Sequence, residues 1–156
     1  TDVQVIKPMD DIIAKGPFFG IEVDGDEKKG KMPTVAPGLC LGAEISMPFY
    51  KQICEGFERL NFYSDDSKIN PFTMIPMVSK MLMDMGMQAH NRVQKVGDFT
   101  LYPTDFFNPL EIATGKLHTT KNTRSIHWYT ASWMTPQPVW KKRLKQYVRR
   151  VLKLFR

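Results

Sequence analysis

With 156 residues, of which 42% are hydrophobic and 12% aromatic, the chain has the size and composition of one folded domain rather than of a disordered segment. Residues 140–156 hold eight basic side chains and no acid, so the net charge of +6 leaves 14 basic and 16 acidic residues, or −2, elsewhere. A nucleic-acid-binding domain would carry a basic face on its body. The composition therefore argues against a nucleic acid as the partner of the body.

The first part of the chain alternates strand-like and helix-like segments. Asp2 precedes an apolar-rich run with the character of a strand, and Asp10–Ile13 predicts a short helical turn with acidic residues at its start. Phe18–Val23 predicts a buried strand. The polar stretch 24–37, which is rich in Gly, Lys and Pro, predicts a surface loop.

Two helices are predicted in the middle of the chain, after a short apolar strand over residues 39–44. Pro48 begins the first helix, which extends to about Leu60 with apolar side chains at helical spacing on one face. The second extends over about residues 71–85 and contains Pro76, which can kink its first turns. Its run of methionines favours soft core packing, and an adaptable binding surface is the alternative.

The last part of the body returns to strands. Residues 97–103 predict a turn followed by a short strand, and residues 105–109 predict an aromatic-rich loop. His118 falls in a polar stretch and is expected to be an exposed loop residue. Ser125–Trp133 is an apolar segment that carries a histidine, two serines and two tryptophans. Strands that alternate with helices predict an α/β domain.

Cysteine usage favours a cytoplasmic setting. Cys40 and Cys54 lie in apolar surroundings, which predicts reduced, packed thiols rather than a disulfide or a metal site. No apolar run approaches the roughly 20 residues that a membrane-spanning helix needs. The chain begins at Thr1 inside a strand-like run, so we expect it to continue a domain that starts upstream.

Three features, in chain order, resemble one known family. They are the run Thr1–Pro8, the segment 97–103 together with Thr114-Gly115-Lys116, and Ser125-Ile126-His127 followed by Ala131-Ser132-Trp133. Together they resemble the sugar-binding, DXD-containing glycosyltransferases of family 32, which include capsular-polysaccharide sugar transferases and initiating α-1,6-mannosyltransferases. The resemblance covers about residues 1–135, and the segment around His127 is fairly specific.

The resemblance implies a GT-A fold and a retaining, metal-dependent hexosyltransferase. Such an enzyme moves a sugar from a nucleotide-diphosphate donor to a glycan or lipid-linked acceptor in surface polysaccharide synthesis. By the same resemblance, residues 1–138 are the C-terminal portion of the domain and the nucleotide-binding portion lies upstream. Asp2 then takes the last position of the aspartate motif, and a fragment without the upstream portion would lack the base and ribose contacts of the donor.

The candidate site residues follow from the chemistry of a sugar diphosphate. The leaving group gains negative charge as the glycosidic bond breaks, and Mn²⁺ or Mg²⁺ with oxygen ligands would neutralise it. Asp2 would supply a carboxylate ligand and His127 a second ligand, and an imidazole ligand favours Mn²⁺. Ser132, Trp133 and Glu44 would bind the diphosphate or the sugar.

Each candidate also has an ordinary structural interpretation. His127 can also be a hydrogen-bonded core histidine, and Ser132 can be a hydroxyl bonded to the backbone. Trp133 can be a buried indole, and Glu44 a helix-capping acid ahead of the helix that Pro48 begins. No residue is assigned as a catalytic base.

Residues 139–156 predict a basic amphipathic helix with one apolar stripe. The interpretations are a helix in the plane of a membrane surface, a helix docked on the domain, and a helix that binds nucleic acid or a partner. We favour contact with an anionic membrane, which makes the protein cytoplasmic and peripheral to the membrane. The membrane-facing residues would be Trp140, Lys141, Lys142, Arg143, Arg149 and Arg150. The alternative to an enzyme is a non-catalytic module whose basic helix binds acidic membrane or nucleic acid.

Overall fold

The computed structural model describes residues 2–61, 74–112 and 114–129. Within these ranges the chain is a mixed α/β domain with four α-helices, which confirms the predicted α/β class. The elements, in chain order, are β1 (Val3–Val5), α1 (Asp10–Ile13), β2 (Phe18–Val23), β3 (Thr34–Val35), β4 (Leu41–Gly42), α2 (Pro48–Glu58), α3 (Met74–Asp84), β5 (Gln94–Val96), β6 (Phe99–Tyr102), α4 (Thr104–Phe107), β7 (Leu110–Glu111), β8 (Lys116–Leu117) and β9 (Ser125–His127).

The main sheet is organised around β2. Its strand order is β3-β2-β6-β5, and β4 also pairs with β2. β2 and β6 are parallel, whereas the other pairings in this sheet are antiparallel. Parallel strands end at the same edge of a sheet, so the segments that follow β2 and β6 meet there. Two further two-stranded pairs are β1 with β9 and β7 with β8.

The side chains of β2 alternate between two apolar clusters, one on each face of the sheet. Phe19 and Ile21 are fully buried in the cluster that α2 and α3 cover. Phe18 belongs to the second cluster, which includes Phe107 of α4. Gly20 lies beneath Phe107, and a Cβ at this position would approach its ring to 3.0 Å. The glycine therefore lets α4 pack closely on β2, beside the edge where the strands end.

Two predictions for connecting segments are wrong. The stretch 24–37 is more than a surface loop, because it contains a 3₁₀ helix over Glu27–Lys29 and the strand β3. Val35 of β3 is fully buried, and its N–H donates to Ser79 Oγ at 2.9 Å. Residues 105–109 are not simply a loop either, since Thr104–Phe107 forms α4.

The methionines of the region around α3 and the two cysteines differ in their burial. Met77, Met81 and Met87 pack in or against the main core, as the core interpretation predicts, while the remaining described methionines of this region are more exposed. Cys40 is half-buried, and burial raises the pKa of its thiol to about 11. Cys54 is exposed, so the prediction of a packed thiol is wrong for this residue.

In the part of the chain that the structure describes, no helix is both long and apolar enough to cross a membrane. The predicted basic helix over residues 139–156 and the start of the predicted helix over 71–85 lie outside the described residues. Membrane contact through the basic helix therefore stays a prediction.

Candidate functional site

The antiparallel pairing of β1 with β9 brings Asp2 and His127 together. Val3 lies opposite His127 in the register, and the N–H of Trp128 donates to the carbonyl of Asp2 at 2.8 Å. The His127 Nε2 atom lies 3.2 Å from Asp2 Oδ1, and the two side chains are only 18% and 23% exposed. The two residues predicted to face one metal ion are thus neighbours in the fold. The indole of Trp128 is engaged elsewhere, since its Nε1 donates to Gln4 Oε1.

Tyr129 extends this pair toward β2 and α4. Its ring meets the His127 ring edge-on at a centroid distance of 3.9 Å. The Tyr129 Oη atom is buried close to Glu22 and Asn108, yet it makes no well-aligned hydrogen bond with either. The backbone of Tyr129 has a φ of 51°, in the left-handed region that side chains other than glycine rarely adopt. Such strained conformations concentrate at functional sites.

Several buried polar atoms around the contact of Tyr129 with His127 lack a hydrogen-bond partner in the described part of the protein. Asn108 exposes only 6% of its surface, and its Nδ2 donates to the Glu22 carbonyl at 2.9 Å. Its Oδ1 and the Nδ1 of His127 are buried without a hydrogen-bond partner in the described part of the protein. Leaving a buried polar group unpaired costs about 1–3 kcal/mol. The unpaired Asn108 and His127 atoms near Tyr129 therefore indicate a site that can accept a further hydrogen-bonding partner.

The Tyr129 phenol is expected to stay protonated far above neutral pH. Burial, and then the negative charge of Glu22, raise its pKa to about 12. Since this pKa lies above the ordinary value of 10.0, the neutral phenol favours the folded state below pH 10 and loses that contribution as the pH rises toward 12. In a spectrophotometric titration, Tyr129→Phe should remove an ionisation near pH 12. Loss of an ionisation at the ordinary tyrosine pKa would contradict this environment.

The Asp2–His127 pair fits two neighbouring positions on a divalent ion. Ligands at about 2.1 Å on adjacent positions of an octahedral ion lie roughly 3 Å apart, close to the separation seen here. Among the described residues, no group of three or more His, Cys, Asp or Glu side chains could hold a metal ion by itself. The protein contribution would thus be small, with phosphate oxygens and water completing the shell, as is usual for Mg²⁺ and similar ions at phosphates.

An acid-lined cavity opens beside this contact, at the edge where β2 and β6 end. Its volume is about 650 Å³. The polar residues that line it are Glu22, Asp24, Thr104, Asp105, Asn108, Glu111 and His118, and we call it the acidic cavity. Val23, Pro109, Leu110 and Ile112 form its apolar wall. Glu22 and Asn108 belong both to this cavity and to the surroundings of Tyr129.

Three of the four carboxylates of the acidic cavity are fixed by neutral donors. Both oxygens of Asp24 accept from Thr104, one from its backbone N–H and one from its hydroxyl. Asp105 Oδ2 accepts from Thr120 and Asn122, and Glu111 Oε2 accepts from Thr114. These bonds orient the carboxylates and leave their charges in place. Glu22 is half-buried, and Tyr129 is its side-chain neighbour among the described residues.

The other predicted site residues do not join this cluster. Glu44 is exposed and lies beyond β4, whose Gly42 pairs with Phe18 at the start of β2. Glu22 lies near the other end of β2, four residues after Phe18. A strand rises about 3.3 Å per residue, so Glu44 and Glu22 are separated by most of the length of β2. Ser132 and Trp133 lie outside the described residues. His118 is exposed, as predicted, with its Nε2 4.0 Å from Glu111 Oε2.

Three residues of the cluster were not identified from the sequence. Glu22 carries the one signal that was available, an acid inside the otherwise apolar strand Phe18–Val23. Tyr129 lies in the segment around His127 and is indistinguishable there from a core aromatic. Asn108 follows two phenylalanines, and only the packing of α4 on β2 gives it a role.

Comparison of the chain with protein-family models, with curated proteins and with solved structures finds no match.

Proposed function

We propose that the protein is a metal-dependent glycosyltransferase that uses a nucleotide-diphosphate sugar and retains the configuration of the anomeric carbon. The observation that carries this proposal is the 3.2 Å approach of Asp2 Oδ1 and His127 Nε2, which come from the two ends of the body. The resemblance to family 32 assigns the aspartate motif and the histidine segment to one site, and this contact supports that assignment. The GT-A fold is part of the same proposal.

In the proposed reaction, the bond between the anomeric carbon and the diphosphate oxygen breaks. A bond from an acceptor hydroxyl oxygen to the same carbon forms, and the hydroxyl proton leaves with the diphosphate. A bound Mn²⁺ or Mg²⁺ would neutralise the charge that develops on the leaving diphosphate. Asp2 and His127 would hold that ion, and the partly buried setting of both side chains strengthens their electrostatic effect.

The surroundings of the pair also suit this chemistry. Tyr129 keeps its proton and can donate it in a hydrogen bond to a ligand oxygen, since its pKa is raised to about 12. The acidic cavity offers carboxylate acceptors for sugar hydroxyls next to the proposed diphosphate position. We propose that the acceptor is a glycan or a lipid-linked sugar, and that the protein works in the cytoplasm at the membrane surface through its basic C-terminal segment.

The direct test is an assay of the full-length protein against a panel of nucleotide sugars. We expect release of nucleoside diphosphate in the presence of Mn²⁺, by hydrolysis or by transfer, and loss of this activity when a chelator removes the metal. Readdition of Mn²⁺ should restore it, which separates metal dependence from inactivation. Absence of turnover with every donor, or turnover that is indifferent to the chelator, would contradict the proposal.

A further inference from the structure

The acidic cavity lies at the edge where β2 and β6 end, outside the Asp2–His127 pair and joined to it through Tyr129. Its volume of about 650 Å³ falls within the range of small-molecule sites and exceeds the needs of a lone ion or a water molecule. One wall is apolar and is formed by side chains such as Val23 and Leu110. Four carboxylates and the Asn108 side chain add hydrogen-bond acceptors to the same lining. The cavity is thus amphipathic, with apolar side chains next to hydrogen-bond acceptors.

The acceptors define what a ligand must bring. Carboxylates accept hydrogen bonds and donate none when ionised. The buried Asn108, which is 6% exposed, adds an Oδ1 atom with no partner among the described residues. Among the described residues, the Tyr129 phenol is the side-chain donor that lies near Glu22. A ligand in this cavity must therefore present several O–H or N–H groups and tolerate contact with apolar side chains.

The negative charges of the cavity exclude anionic ligands. Glu22, Asp24, Asp105 and Glu111 all line the cavity, and among the described lining residues only His118 can carry a positive charge. The donors that orient Asp24 and Asp105 are hydroxyl, amide and backbone groups, none of which carries a positive charge. Like charges in a confined site repel strongly. A ligand with a carboxylate or phosphate on the part that enters the cavity would be rejected.

We propose that the acidic cavity binds a neutral sugar ring, with Glu22 accepting hydrogen bonds from ring hydroxyls and the apolar wall packing against ring C–H groups, and that it excludes sugars with a carboxylate. This inference rests on the proposed function and narrows its substrate to an uncharged hexose at the position next to the diphosphate. Glu22 is a binding residue in this scheme and is given no role in proton transfer.

The test is direct binding to the full-length protein, without nucleotide or added metal. Methyl glycosides of glucose, galactose and mannose, together with glucosamine and glucuronate, would be titrated while amide chemical shifts are followed by NMR. We expect at least one neutral glycoside to bind with shifts at Glu22 and Asn108, and glucuronate to bind at least tenfold more weakly. Binding of glucosamine alone would show a general cation site and overturn the proposal. Equal binding of glucuronate, or no binding of any neutral glycoside, would overturn it as well.

The matched variants are Glu22→Gln and Glu27→Gln. A hydrogen bond to a charged group exceeds a neutral one by about 1 kcal/mol or somewhat more, so Glu22→Gln should weaken binding of the neutral sugar about tenfold. Glu27 pairs with Arg92 at 2.9 Å and does not line the acidic cavity, so Glu27→Gln should bind as the unmodified protein does. Equal affinities of both variants and the unmodified protein would contradict the role of Glu22.

The two proposals fail separately. If chelator-sensitive turnover is found and no neutral glycoside binds at Glu22, the cavity assignment is wrong and the transferase assignment stands. If neutral glycosides bind at Glu22 and no donor is turned over, the transferase assignment is wrong. The cavity is then a sugar-binding site in its own right, and its claimed role beside a diphosphate is lost.

Discussion

Replacing His127 with alanine is expected to lower donor turnover about a hundredfold or more while the protein stays folded. Removal of one preorganised group that stabilises developing charge typically costs a factor of 10²–10³ in turnover. His127 contacts Asp2 at 3.2 Å and Tyr129 edge-on. It belongs to β9, which pairs with β1 and not with the main sheet, so its removal should leave the main sheet intact. Steady-state release of nucleoside diphosphate, measured against the concentration of Mn²⁺, checks both the turnover and the apparent metal affinity.

Two further variants separate a site role from a structural one. His90→Ala removes another histidine, from the turn that precedes β5, and should keep full turnover. Asp2→Asn should lower turnover to a similar extent, and the double variant should lose little more, because residues that act as a unit are strongly non-additive. Unchanged turnover in His127→Ala, or fully additive losses in the double variant, would remove the pair from the site.

Replacing Phe19 with alanine is expected to lower the free energy of unfolding by about 3–5 kcal/mol, the usual cost of emptying a buried phenylalanine site. Phe19 is fully buried on β2, and its ring centroid lies 5.0 Å from that of Phe99 and 5.8 Å from that of Phe49. It thus joins β2, β6 and α2 in one aromatic group. Denaturant unfolding, followed by tryptophan fluorescence, measures the change.

A small domain can lose all its stability with such a substitution, so a milder variant is included. Phe19→Leu keeps most of the side-chain volume and should cost about 1–2 kcal/mol. Ile45→Ala serves as the matched control, because Ile45 is 96% exposed and its truncation should change the stability by less than about 0.5 kcal/mol. A loss below about 1 kcal/mol for Phe19→Ala would mean that the aromatic group does not hold the sheet together.

The elements that follow from local pattern were predictable. The apolar run Phe18–Val23 forms β2 with those boundaries, and Pro48 begins α2 as its position at a helix start predicts. The elements that depend on distant contacts were not. α4 begins at Thr104, whose N–H and hydroxyl are both held by Asp24, 80 residues earlier in the chain. β3 has two residues and exists because β2 pairs with it.

The candidate site shows the same division. That Asp2 and His127 lie close together was predicted from the resemblance to family 32, and the pairing of β1 with β9 is in accord with it. The positions of Glu22 and Asn108 in the site could not be predicted from the sequence. They depend on the parallel strands β2 and β6, which end at one edge, and on the packing of α4 above Gly20. The sequence shows which functional groups are present, and it does not show which side chains the fold brings together.

The pairing of β1 with β9 also has a consequence for the order of folding. The side-chain hydrogen bond between Gln4 and Trp128 spans 124 residues, nearly the whole described chain. Closing so long a loop has an entropic cost. The ladder of β1 with β9 has only three residue pairs to offset that cost. The hairpin of β5 with β6 and the pairings of β2 with β3 and β4 join residues closer in the chain and would form first. The Asp2–His127 pair would be completed last, so a partly folded chain would contain part of the main sheet without the paired side chains of the candidate site.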